Sequence, residues 1–219
     1  MDTMNRPGEP LCTVMIYSDI VCPWCYVGKR RLEKALAMRR GQAEVSVLWR
    51  PFELNPTMPP LGMDRRVYLE AKFGGSAALE AMQSRLVTVG AEEGIAFAFD
   101  RMLRTPNTFD AHLLVYFAQR EGRQDATVER LFQQYFTEGV DIGDRLVLMD
   151  LAGRAGLDAE AVGRFLASDD GVAAVRDEEA EGHRRGIRGV PYFIFNHTVS
   201  LSGAHPPDVI LSAIEEAGE

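Results

Sequence analysis

Two cysteines separated by two residues, Cys22-Pro23-Trp24-Cys25, carry the chemistry most legible in this chain. Thiols at that spacing can close on each other, and so pass a disulfide to another molecule or take one from it. Their flanks say where they sit. Thr13-Val14-Met15-Ile16-Tyr17 is a short apolar, β-branched run, and from Val27 to Ala37 apolar residues recur at helical spacing. The pair therefore falls at a strand-to-helix turn. Cys22 is expected at the helix N-terminus, where unpaired backbone N–H groups and the helix dipole favour a thiolate over a thiol. Pro23 fits the first helical turn, since its missing N–H would have no intrahelical partner there.

Two nearby cysteines can also be half of a zinc site. No cysteine follows Cys25, and His112, His183, His197 and His205 stand singly, so the second ligand pair is lacking and no metal is assigned. A lone CxxC beside a β-α-β pattern instead favours a thioredoxin-like redox motif. A second signal lies far along the chain, where Pro191 directly precedes the apolar run Tyr192-Phe193-Ile194-Phe195. Proline cannot donate a ladder hydrogen bond, so it belongs at a strand's first residue or on an edge. Another strand, Thr198 to Ser202, follows, and then a helix from about Asp208 to Ala217 with Pro206 and Pro207 at its entrance and Ile210, Leu211 and Ile214 on its apolar face. Strand, turn, strand, helix is the closing half of a thioredoxin fold.

Longer motifs sharpen this. Ser18-Asp19-Ile20-Val21-Cys22-Pro23-Trp24-Cys25-Tyr26-Val27-Gly28-Lys29, Thr105-Pro106-Asn107-Thr108-Phe109-Asp110-Ala111-His112, the stretch from Tyr135 to Asp144, and Ser202-Gly203-Ala204 together resemble the FrnE-type branch of the DsbA-like thioredoxin family. The resemblance spans nearly the whole chain. It implies an α/β protein: a thioredoxin fold with a helical domain inserted between its two halves, acting as a thiol-disulfide oxidoreductase. Carried onto this sequence, Cys22 is the attacking thiol and Cys25 the resolving one. Pro191 is expected to be cis and to face the dithiol, Val190 to offer backbone groups to an extended substrate, and Pro23 and Trp24 to shape the docking surface. The partners implied are protein thiols and disulfides or small thiols, with no tightly bound cofactor. Glutathione is a candidate co-substrate, because a related branch contains kappa-type glutathione transferases and 2-hydroxychromene-2-carboxylate isomerase. That branch typically has Ser at the position of Cys22, so the glutathione-dependent isomerase stands as the alternative. In glutathione-using relatives the helical-domain interface lines a small-molecule pocket, which puts Asn107 and His112 forward as pocket residues.

The organisation follows from periodicity as well. Residues 11–58 and 184–219 form the two thioredoxin-like halves, the first closing with the strand Val45 to Phe52, and residues 59–183 read as five to seven helices. Val128, Leu131, Phe132, Tyr135 and Phe136 give one continuous apolar helix face, and Phe109, Leu113, Tyr116 and Phe117 give another. Asn107 or Thr108, Asp125, Asp158 and Asp169 are expected to open helices, with Gly122 and Gly156 closing them. Cys12, Phe97, Phe99 and Met102 read as core. Lys29-Arg30-Arg31 reads as a solvated helix face that could add positive potential near the thiolate.

A net charge of −8 over 219 residues argues against nucleic acid or an anionic membrane as partner, since both reward clustered Lys and Arg. The first apolar run, Leu11 to Tyr17, is short and has only Arg6 upstream against Asp2 and Glu9, so it reads as a strand and not a secretion signal. No stretch is long and apolar enough to span a membrane. The expectation is a cytoplasmic protein whose dithiol rests largely reduced.

Overall fold

The computed structural model describes residues 12–39 and 44–218. Leu11 and Glu219, the outer limits expected for the two halves, and the N-terminal Asp2, Arg6 and Glu9 lie outside the described residues.

Strand β1 (Cys12–Ser18) leads through a tight turn into helix α1 (Pro23–Met38), which returns the chain to β2 (Val45–Pro51), parallel to β1. After a long excursion, β5 (Tyr192–Phe195) pairs antiparallel with the other edge of β1, and β6 (Val199–Ser202) pairs antiparallel with β5. The sheet order is β2-β1-β5-β6. Helix α9 (Pro207–Gly218) closes the unit against α1. These elements form the thioredoxin fold.

Alternation along β1 shows that both faces of the sheet are covered. Val14 and Ile16 join Phe193, Phe195, Ile210 and Ile214 in one core cluster, while Met15 and Tyr17 join Phe52, Ile187 and Ile194 in another. A strand buried on both faces has no polar side to show, hence its unbroken apolar run.

Between β2 and β5 the described residues form seven helices: α2 (Arg65–Phe73), α3 (Ser76–Glu92), α4 (Phe109–Arg120), α5 (Gln124–Glu138), α6 (Arg145–Arg154), α7 (Ala159–Leu166) and α8 (Val172–Arg184). A two-residue ribbon, β3 (Met63–Asp64) with β4 (Arg104–Thr105), ties the start of α2 to the segment before α4. The apolar face foreseen on α5 is buried throughout: Leu131 and Phe132 are fully enclosed, and Phe132 stacks on Tyr26 of α1 at 5.1 Å. The backbone of edge strand β2 is stitched to α5 by the side chain of Gln124. Gln124 Oε1 accepts from Trp49 N at 2.9 Å, and its Nε2 donates to Trp49 O at 3.0 Å.

Several sequence expectations need correction. Asp125 does not open α5; Arg123 is the N-cap, and Asp125, in the first turn, instead accepts from Trp49 Nε1 at 3.1 Å. Asp169 does not open α8 either, because Gly171, in the left-handed region at φ 77°, turns the chain into that helix. Asp158 does cap α7, accepting from Glu160 N and Ala161 N. The largest change concerns Lys29. It is not solvated: its side chain is 2% exposed, enclosed at the α1–α5 contact by Glu33, Asp125 and Glu129. Arg30 joins the same carboxylates, bonding both Glu33 and Glu129. The charge run is thus a bridge between helices.

Candidate active site

Cys22 is the N-cap of α1, with extended backbone at φ −90° and ψ 110°, and no side chain caps that helix end. A turn sets it there. Cys22 N donates to Asp19 O at 3.0 Å, and Cys25 N donates to Cys22 O at 3.0 Å. The peptide Val190-Pro191 is cis, and the Cys22 thiol donates to Val190 O across 3.5 Å. The close approach of α1 to this loop depends on Gly28, where a Cβ would meet Pro191 Cγ at 3.0 Å and Phe193 Cζ at 3.2 Å. Pro191 O in turn accepts from Gly203 N at 2.8 Å, so β6 holds the proline loop from behind.

The two thiols differ in environment. Cys25 is fully buried, and burial together with the neighbouring Cys22 pushes its thiol well above the ordinary range. Raised in this way, Cys25 is held as a thiol. Cys22 is only 5% exposed, and it lines a cavity of about 270 Å3. All three cysteines, Cys12 included, are free thiols, and Cys12 is fully buried in the core.

That cavity is walled mostly by apolar side chains from α2, α3 and the preceding loop, among them Leu54, Met58, Leu69, Met82 and Leu86, with Pro23 and Trp24 beside Cys22. Arg85 lies over the Trp24 ring at 5.8 Å. The polar residues of the wall include Asp19, Arg65, Thr105 and Tyr135. Phe99 also lines the cavity, so it is only partly the core residue expected.

Asp19 is 1% exposed and bonded on one side only: Oδ2 accepts from Leu54 N at 2.8 Å, while Oδ1 lies 3.5 Å from His112 Nε2. Further carboxylates gather behind that histidine. Glu53 N donates to Glu179 Oε1 at 3.1 Å, and Arg176 reaches both Glu53 and Glu179. Burial alone would favour a neutral His112 ring, but Asp19, Glu179 and Glu53 outweigh it and push the histidine above its usual value. Burial, then Glu179, push Glu53 upward.

Of the residues singled out from sequence, Cys22, Cys25, Pro23, Trp24, Val190 and Pro191 come together around the turn. Val190 and Pro191 flank Cys22 without lining the cavity. Asn107 and His112 do not line it either, which corrects their reading as pocket residues. Asn107 is occupied in holding loops, donating to Met58 O at 2.8 Å and accepting from Phe109 N at 2.9 Å. His112 faces Asp19 from behind the wall. Asp19, Arg65, Tyr68, Phe99 and Tyr135 were not foreseen, and only tertiary proximity reveals them. Among the described residues no group of His, Cys, Asp and Glu converges as a metal site would, and no helix is long and apolar enough to cross a membrane.

Comparison with known proteins agrees with this fold. The solved probable DsbA oxidoreductase of Streptomyces coelicolor superposes with a TM-score of 0.87 at 37% identity, covering 94% of this chain and 89% of that one. The protein YwbO of Bacillus subtilis is 30% identical over 93% of this chain and 96% of its own length. The 2-hydroxychromene-2-carboxylate isomerase of Sphingobium xenophagum is 24% identical over 82% of this chain and 86% of its own. Residues 13–215 match the DSBA-like thioredoxin domain, and the chain belongs to that family.

Proposed function

We propose that this protein is a thiol-disulfide oxidoreductase working through Cys22 and Cys25. The observation that carries the reading is the asymmetry of the pair. Cys22 caps a helix with no other cap and lines a cavity, while Cys25 behind it is held as a thiol by burial. The Cys22 thiolate attacks a substrate disulfide, forming a mixed disulfide and releasing one substrate thiol. The Cys25 sulfur, giving up its proton, then attacks Cys22 and releases the second. The substrate disulfide gains two electrons and the Cys22–Cys25 dithiol loses them. In reverse, the oxidised pair takes electrons from a substrate dithiol.

Membership of the DsbA-like family supports redox or isomerase chemistry on thiols and disulfides. The compartment, and with it the direction of electron flow, is proposed as the cytosol with the dithiol as reductant. One observation favours a second reading. An apolar cavity over Cys22 suits a small molecule better than a peptide, and the chain is related to an isomerase of a small aromatic acid. Cys22 in place of the Ser typical of that branch weighs the other way.

The deciding experiment follows insulin reduction with dithiothreitol, and reactivation of a scrambled disulfide protein, for wild type and for Cys22→Ser. Wild type is expected to be active in at least one assay and the variant inert. Equal rates for wild type, variant and blank would sink the oxidoreductase reading. Acceleration of chromene isomerisation by added glutathione would then support the alternative.

A further inference from the structure

Arg65 opens α2 and is 8% exposed. A guanidinium is the hardest side chain to bury without an anion, because it cannot shed its charge. Yet among the described residues no carboxylate lies within ion-pair distance of Arg65. Its neighbours are neutral: the Phe99 ring, 5.2 Å from Cζ, and the Tyr135 hydroxyl, which donates onward to Arg104 O at 3.3 Å. Burial pulls Arg65 below its ordinary value, which marks the charge as under-compensated. Arg65 lines the cavity that Cys22 lines, and its other side borders a more open hollow with Asp64, Glu70, Glu80 and Asp100, none of which forms an ion pair with it among the described residues.

The remaining charges of this cavity set the balance. Asp19 is the one carboxylate in the wall, and it is already engaged by Leu54 N and faced by His112. Lys72, at the exposed rim, lies 5.5 Å over the Tyr68 ring and donates to its hydroxyl at 3.5 Å, and among the described residues it forms no ion pair. The cavity thus offers two cations outside any ion pair among the described residues, one deep and one at the rim, within a mostly apolar wall. A guanidinium fork matches the geometry of a carboxylate. A dianionic group would face Asp19 with too little positive charge nearby.

We infer that Arg65 forms an anion subsite in the cavity over Cys22, so that the small disulfides and thiols handled there are apolar molecules carrying a carboxylate. This rests on the dithiol reading above and names its substrate class. In the reaction, Cys22 attacks one sulfur of such a disulfide while Arg65 holds the carboxylate of the half that becomes the mixed disulfide. The other half leaves as a thiolate, and Cys25 then expels the first.

The test is the reaction of the reduced protein with two aromatic disulfides by stopped-flow absorbance: dithiobis(nitrobenzoate), which carries carboxylates, and neutral dithiodipyridine. Rates are referenced to those of a free small thiol. Arg65→Gln is expected to slow the carboxylate probe about ten- to hundredfold, the scale of a lost charge-assisted hydrogen bond, and to leave the neutral probe within about twofold. Arg65→Lys should fall between. An equal fall for both probes, or no fall in either, overturns the subsite. If wild type reacts with neither probe faster than Cys22→Ser does, it is the dithiol reading that fails. A measurement on wild type alone guards against a variant that does not fold: naphthoate should slow the neutral probe, and neutral naphthamide should slow it much less. Equal inhibition by the two overturns the inference.

Discussion

Replacing Lys29 by methionine removes a charge that the fold holds almost out of water, while keeping most of the length of its stem. The ammonium is paired with Glu33 and lies 3.2 Å from Glu129 Oε2 and 3.3 Å from Asp125 Oδ2. Removing one side of a buried pair costs about 3–5 kcal/mol when the partner stays buried and uncompensated. The partners here fare better. Arg30 still pairs with Glu33 and Glu129, and Asp125 is largely solvated and keeps its bond from Trp49 Nε1. What is stranded is Glu129 Oε2, a buried oxygen that makes no hydrogen bond. The net loss should be about 2 kcal/mol. At roughly 2–4 °C per kcal/mol for a chain of this length, the variant should melt about 4–8 °C below wild type at pH 7, followed by circular dichroism.

The pH dependence has a definite sign. Burial would raise Glu33, but Lys29 and Arg30 outweigh it and hold the carboxyl below its usual value. Its contribution is therefore present above about pH 4.3 and lost as pH falls through the lower folded value. Burial would lower Lys29, but Asp125, Glu33 and Glu129 raise it, so its contribution persists below about pH 10.4 and fades only as pH rises through the higher folded value. The gap between wild type and variant should be flat from about pH 5 to 10 and close in stronger acid. A variant melting within about 1 °C of wild type at pH 7 would refute the reasoning, because the cluster would then be no more than a solvated surface pair.

Gln124→Ala strips both partners from the buried Trp49 backbone, so a loss of about 2–4 kcal/mol is expected in urea unfolding; a loss under 0.5 kcal/mol would mean water replaces the amide. For His112, whose folded value is raised by Asp19, Glu179 and Glu53 against the opposing effect of burial, the stabilisation is full below about pH 6.5 and lost as pH rises through that higher value. The melting temperature of wild type relative to His112→Gln should therefore fall on going from pH 6 to 9. A difference that grows with pH would show that the ring is neutral in the fold.

What was legible in the sequence was what is local. Cys22 at a helix start and Pro191 before an apolar strand declare themselves through neighbours a few residues away, and so do the apolar faces of α4 and α5. Lys29 misled because a Lys-Arg-Arg run looks solvated unless its carboxylates are known, and two of these come from α5, about a hundred positions on. Arg65 sits among Asp64 and Arg66 and looks like any helix start; nothing nearby signals that its charge goes unpaired. Asp19 was visible within the motif, but its pairing with His112 exists only once α4 packs against the turn. The ribbon of β3 and β4 escaped because two residues per strand leave no periodicity to detect.

The central strand has a consequence for how the chain is made. β1 can pair with β2 early, across a single helix, but its other edge waits for β5, and the Val190 carbonyl that meets Cys22 lies 168 positions further on. At about 5–20 residues per second, the ribosome delivers that partner on the order of ten to thirty seconds after the cysteines. Through that interval an apolar strand keeps an open edge, and the dithiol lacks the loop that will later crowd it. The nascent chain then has an open strand edge and two unshielded thiols, which can exchange with a passing disulfide, each bond formed releasing a thiol. The loop that crowds Cys22 thus reaches it only late in synthesis, when the β5–β6 hairpin docks.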